Sequence, residues 1–112
     1  MSNERRQLTD DELNAVLNTE TARINWLELQ PHFARGQVIH VADTLDLVAV
    51  ARELVRDNKA QFESWTDQGQ VAGVSNEQAQ AWFDRKADVW AVVVAPWVLV
   101  QDAGDSAADT QH

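Results

Sequence analysis

The side chains able to do acid–base or metal chemistry are few. Histidine occurs only at His32, His40 and His112, and no HExxH, CxxC or closely spaced carboxylate and histidine cluster accompanies them, so no metal site is indicated. His40 is followed by Asp43 and Asp46, either of which would serve as the carboxylate beside a general base. The plainer reading makes His40 an exposed or structurally hydrogen-bonded histidine, and Asp43 and Asp46 acids at the start of a helix. Ser64 and Ser75 lack a nucleophile-elbow context, and Ser75 is better explained as a helix cap. Four glycines in the whole chain provide neither a phosphate loop nor a dinucleotide fingerprint. The residues therefore assemble no catalytic constellation and call for no cofactor.

Tryptophan is the other chemically distinctive residue. Trp26, Trp65, Trp82, Trp90 and Trp97 occur in 112 residues that include no tyrosine. Each ring buries about 150–250 Å², and its indole N–H still needs an acceptor, so a small domain is expected to leave one or two rings partly exposed. Exposed tryptophan is a favoured anchor at protein interfaces. Trp90 and Trp97 are the candidate contact residues, with Pro96 beside Trp97 as a break that re-aims the ring. The competing reading makes all five rings core or boundary filler.

Composition narrows the class of protein. A length of 112 residues suits one domain with one hydrophobic core and no metal or disulfide staples. Cysteine is absent, which removes thiol chemistry and fits a reducing compartment. Eighteen acids against nine bases give a formal net charge of −9, which repels phosphate backbones and anionic lipid. Neither nucleic acid nor a membrane is an expected partner, and mimicry of a nucleic-acid duplex would want denser acidic rows. No apolar h-region follows Arg5 and Arg6, so no secretory signal is read. The longest apolar run, 89–100, contains Pro96 and is shorter than the roughly 20 residues of a spanning helix. A cytoplasmic protein is expected. Residues 1–8 and the acidic tail 102–112 read as disordered, on either side of a single domain over 9–101.

The elements that would position these residues follow from spacing. Thr9 with Asp10, Asp11 and Glu12 is a capping-box pattern, and Leu13, Val16 and Leu17 share the helix face behind it. After Thr19 or Thr21 a second helical register, Ala22, Trp26, Leu29 and Phe33, predicts a continued but kinked helix. Pro31 makes 30–35 a distorted last turn and Gly36 ends it. Residues 36–42 alternate as a half-buried strand, with Ile39 and Val41 on one face and Val38 and His40 on the other. Asp43 or Thr44 then caps a helix through Leu47, Val48, Ala51, Leu54 and Val55. Phe62 and Trp65 continue helical spacing to Gly69, as one bent helix or two short ones. Ser75 and Gln78 cap a third major helix that buries Ala79, Trp82 and Phe83. Gly36, Gln37, Val38 and Val41 are echoed by Gly69, Gln70, Val71 and Val74, but only two copies occur, and helix ends and strand starts draw on the same few residues.

Residues 88–101, DVWAVVVAPWVLVQ, carry six valines and two tryptophans. A segment apolar at both parities must be covered on both faces, which makes it the expected centre of the fold. Pro96 cannot donate to a ladder, so it marks a bulge or a corner within this segment. The expected fold is α+β: a small three- or four-stranded mixed sheet with helices packed over it around a single core.

LNTETARINWLELQPHFARGQVI, LDLVAVARELVRDN, VAGVSNEQAQAWF and VWAVVVAPWVLVQ resemble segments of a small bacterial family of unknown function, short proteins mostly from proteobacteria. The resemblance spans 17–101. Its closing segment is specific, although Asp88 and Val89 precede Trp90 here. It implies a bacterial origin and a shared fold, and it carries over no site. Two functions are consistent with these features. One is a non-catalytic interaction or regulatory domain, self-associating or bound to a protein partner, that uses exposed tryptophan and apolar surface around Trp90 and Trp97. The other is a small-ligand protein or enzyme with a tryptophan-lined pocket near Pro96, assisted by His40.

Overall fold

Strand β5, Trp97–Asp102, is the centre of a five-stranded mixed sheet in the computed structural model, which describes residues 7–103. The strand order is β1-β4-β5-β2-β3, with β1 Ala22–Asn25, β2 Val38–Val41, β3 Val71–Gly73 and β4 Asp88–Val94. β5 runs antiparallel to β4 and parallel to β2, while β1 and β3 close the two edges as antiparallel neighbours. Five α-helices lie among the described residues: α1 Asp10–Glu20, α2 Gln30–Ala34, α3 Leu47–Val55, α4 Lys59–Asp67 and α5 Asn76–Arg85. The fold is thus α+β as expected, with five strands where three or four were read. No described helix is long and apolar enough to cross a membrane.

Side-chain alternation on the sheet creates two cores rather than one. Val38, Val89, Ala91, Val98 and Val100 face Trp26, Leu29, Ala79 and Trp82 from the 3-10 turn Trp26–Leu29 and α5. On the other face, Val41, Val71, Val92 and Leu99 meet Leu13, Leu17, Leu47, Val50 and Ala51 from α1 and α3. Val98, Leu99 and Val100 point alternately into both cores and are all buried. The coverage expected for the valine-rich ribbon holds in β5 for Val98, Leu99 and Val100, while Trp97 at its start is exposed. In β4 it holds for Val89, Ala91 and Val92, but Trp90 and Val93 emerge into solvent.

Local chemistry explains where each element starts and stops. The Thr9 hydroxyl accepts from the Glu12 amide at 3.2 Å, and the Glu12 carboxylate accepts from the Thr9 amide at 2.9 Å, completing the capping box of α1. Thr19 and Thr21 donate their hydroxyls to the carbonyls of Ala15 and Leu17, and Thr21 leaves the helix in an extended conformation. The helical register read through Ala22 is therefore overturned. Ala22–Asn25 is a strand that pairs with β4 from Ala22↔Ala91 to Asn25↔Asp88. Tertiary pairing outweighs a weak local preference here.

Pro31 sits in the first turn of α2, where its missing N–H costs nothing, so it opens a short helix instead of distorting the end of a long one. Gly36, at φ +72°, ends α2. α3 is capped by Asp46, whose carboxylate accepts from the Val48 amide at 3.0 Å; the cap is neither Asp43 nor Thr44. The stretch after it is two helices, because Asp57 takes a left-handed φ of +59° and Asn58 starts α4 by accepting from the Gln61 amide. Ser75 caps α5 through the Gln78 amide at 3.0 Å.

Pro96 marks neither a bulge nor a corner. Ala95 and Pro96, joined by a cis peptide bond, form the two-residue turn of a hairpin in which Val94 pairs with Trp97 and Val89 with Asp102. Ordered structure reaches Leu8, which packs on the core of α1 and α3, and Asp102, which ends β5. Most of the termini read as disordered, residues 1–6 and 104–112, lie outside the described residues.

Trp26 and Trp82 are fully buried, with ring centroids 5.0 Å apart, and Phe33 and His40 stand edge-on around them. Neither indole N–H meets an acceptor among the described residues. Rings held by packing alone set the expected response to truncation. Trp82→Ala should lower the unfolding free energy by about 3–5 kcal/mol, the usual loss for a buried aromatic. Trp90→Ala, at a position 40% exposed, should cost about 1 kcal/mol. Urea denaturation of both variants checks this, and equal losses would contradict it.

Candidate functional site

The hairpin distributes the candidate residues over three places. Pro96 and Trp97 lie at its tip, where Trp97 is 37% exposed and Val93, on the opposite face, is 54% exposed. Trp90 lies at the other end of the ladder, opposite Gln101 and on the same face as Trp97. At about 3.3 Å per residue, the four positions between the Trp97 and Gln101 registers amount to about 13 Å. Buried Val92 and Leu99, under α1 and α3, separate the two rings. Trp90 and Trp97 therefore belong to two separate patches.

His40 belongs to neither patch. It pairs with Val100 on the face toward α5, and its ring meets Trp82 with centroids 5.3 Å apart and planes 87° apart. Burial lowers its pKa from the ordinary histidine value, against the opposing pull of the Asp43 and Asp102 carboxylates. Asp102 itself lies 3.8 Å from the Arg85 guanidinium. No carboxylate hydrogen-bonds to the imidazole among the described residues, so the oriented base of a catalytic pair is not assembled. Asp46 is engaged at the start of α3, and Pro96 lies at the far end of β5 from the His40 register. A pocket joining Pro96 to His40 is thus not what the fold builds. Nor do three or more histidine, aspartate or glutamate side chains converge on a metal-binding point among the described residues.

The tryptophan-lined cavity lies instead at Trp90. A crevice of about 410 Å³ opens between α1, the start of α3 and the sheet, lined by Asn18, Thr21, Asp46, Trp90 and Gln101 together with Leu47 and Val48. A second hollow of about 340 Å³ shares Asn18, Asp46 and Val48 with it and runs on to Asn14 and Arg52. Gln101 organises this end. Its carboxamide nitrogen donates to the carbonyls of Ala42 at 2.8 Å and Leu45 at 2.7 Å, tying the loop before α3 to the sheet. With both hydrogens committed, the carboxamide presents its oxygen as an acceptor. On the β1 side, Arg23 lies 5.8 Å from the Trp90 ring centroid and 3.3 Å from Asp88. Asp88 also accepts from Asn25 at 3.2 Å.

Sequence spacing did not bring Asn18, Thr21, Asp46 and Gln101 together, because they come from three separate segments, the end of α1, the start of α3 and β5. One partial signal was present. Once the turn is placed at Ala95–Pro96, strand register alone sets Gln101 opposite Trp90.

Fold and site together define a small α+β domain, a five-stranded mixed sheet between two helical layers, with a polar, tryptophan-walled crevice at one end of its central hairpin. The chain belongs to the family described as Protein of unknown function (DUF2288), whose model matches residues 12–102. Among solved structures it is similar to PA1075 from Pseudomonas aeruginosa, determined in solution by NMR. The two are 41% identical, with a TM-score of 0.74 over 89% of this chain and 92% of that one. No curated protein matches. These likenesses agree with the proteobacterial family suggested by the carboxyl-terminal segment.

The environment of His40 gives a pH dependence of defined sign. Its folded pKa lies below the unfolded value of 6.5, so the neutral ring is favoured by folding. Its contribution is complete above that value and is lost as pH falls through the folded pKa. In urea titrations at several pH values, the stability difference between the parent and His40→Gln should shift against the parent between pH 7.5 and pH 5. A difference independent of pH would contradict the assigned environment.

Proposed function

We propose that the protein is a bacterial, cytoplasmic, non-catalytic interaction domain that docks a protein partner on the tip of the β4–β5 hairpin. The observation that carries this reading is an unpaired, apolar strand edge. β1 stops at the Ala22↔Ala91 register, so no strand among the described residues pairs with the outer side of β4 at residues 92–94. Val93 is exposed there on one face, and Trp97 with Pro96 on the other. An open edge flanked by apolar side chains offers main-chain hydrogen bonds for affinity and side-chain contacts for specificity, the ingredients of strand addition. Tryptophan supplies the large, stiff contact area common at interface hot spots. The net charge of −9 favours a protein over a nucleic acid as the partner.

A photo-crosslinking side chain in place of Val93, introduced in the native host, should yield a discrete crosslinked product. The same group in place of exposed Gln80 should not. Trp97→Ser should abolish the product while changing the unfolding free energy by no more than about 0.5–1 kcal/mol, as for other surface changes. Equal products at both positions, or a product unaffected by Trp97→Ser, would refute the assignment.

A further inference from the structure

We propose that the crevice at Trp90 binds an organic cation, an alkylammonium or alkylguanidinium group, independently of the hairpin tip. The argument rests on which hydrogen-bonding valences the fold leaves available. Thr21 donates its hydroxyl hydrogen to the Leu17 carbonyl at 2.8 Å, so the oxygen is left as an acceptor. Gln101 has committed both amide hydrogens to Ala42 and Leu45 and also presents oxygen. Asp46 accepts one hydrogen bond, from Val48, and forms no ion pair among the described residues. Side-chain donors come from Asn18, whose carboxamide makes no hydrogen bond among the described residues, and from the Trp90 indole N–H. Three acceptors, one of them an unpaired carboxylate, thus face the crevice beside the Trp90 ring.

Charge decides the sign of the ligand. The two nearby guanidinium groups are already neutralised, Arg23 by Asp88 at 3.3 Å and Arg52 by Glu53 at 3.1 Å. The carboxylate of Asp46 is the charge left over, in a protein of net −9. An anionic ligand would meet oxygen lone pairs and repulsion. A cation would meet a carboxylate, two neutral acceptors and the negative face of an indole, the combination that recognises ammonium and guanidinium groups. Arg23 shows in the same structure that the ring accepts a guanidinium, 5.8 Å from its centroid. The alkyl part of such a ligand has Leu47 and Val48 to lie against.

The test is a titration of the isotope-labelled full chain with agmatine at constant ionic strength, followed by two-dimensional NMR. Saturable shifts are expected at the Trp90 indole N–H and at the Asn18 and Gln101 carboxamides. Asp46→Asn, which keeps an equally good helix cap, should weaken binding on the order of tenfold, the loss of one charged contact. Non-saturating shifts, the same affinity in Asp46→Asn, or equal binding of neutral propylurea would overturn the proposal. A capped Gly-Arg-Gly peptide distinguishes the sources. Binding at least as tight as agmatine assigns the cation to a partner's side chain, and binding of agmatine alone assigns it to a free amine.

Discussion

Burial of β5 on both faces is the constraint on which the rest of the structure depends. Val98, Leu99 and Val100 point in alternate directions, and each is buried. Each side chain of this kind contributes about 1.5–3 kcal/mol when removed from water. That gain is complete only if both faces of the sheet are roofed. α1 and α3 roof one face, while the 3-10 turn and α5 roof the other. The parallel pairing of β2 with β5 follows from the same demand, because parallel neighbours need long crossovers and the crossovers bring the helices. The two cores contain no buried polar or charged residue among those described, so their cohesion comes from apolar contact alone.

What was legible in the sequence was what local chemistry decides. The Thr9 box, the Ser75 cap, the glycine stop at Gly36 and the doubly apolar ribbon are all encoded within a few residues. The alternation of Val38, Ile39, His40 and Val41 placed each side chain on the face where the sheet puts it. Strand β1 was not legible, since Ala22, Trp26, Leu29 and Phe33 mimic a helical face. The pairing that makes Ala22–Asn25 a strand is with residues more than 60 positions away. The hairpin was misread for a related reason. Proline is excluded from a ladder interior, yet the same fact suits a bulge, a corner or a turn, and only the partner strand selects among them. The Gly36 and Gly69 echo does correspond to adjacent strands, β2 and β3, that run antiparallel, and both glycines have φ above +70°.

The candidate site was legible only as single residues. Trp90 and Trp97 stood out because tryptophan is scarce and costly to bury whole, and the fold leaves both partly exposed while enclosing Trp26 and Trp82. Their companions were hidden. Asn18 carries no signal of its own in the sequence, Asp46 reads as an acid at a helix start, and Gln101 reads as the last residue of a strand. They meet at Trp90 because the loop before α3 is tied to β5 by the Gln101 carboxamide.

That tie also explains why the two ends of one hairpin differ in chemistry. At the turn, β4 and β5 run past β1, and nothing from the described chain pairs with the free edge, so apolar side chains and open backbone are what remain at the surface. At the opposite end, β1 and the loop before α3 flank the strands, and their polar groups must be satisfied near the sheet. Gln101 satisfies two carbonyls, Thr21 one, and Asp46 a helix amide. Each of these bonds consumes a hydrogen or one lone pair and leaves oxygen exposed. An acceptor-rich crevice is therefore a by-product of closing this end of the fold, and Trp90, which stands on the same face as the buried Val92 and Leu99, supplies its aromatic wall.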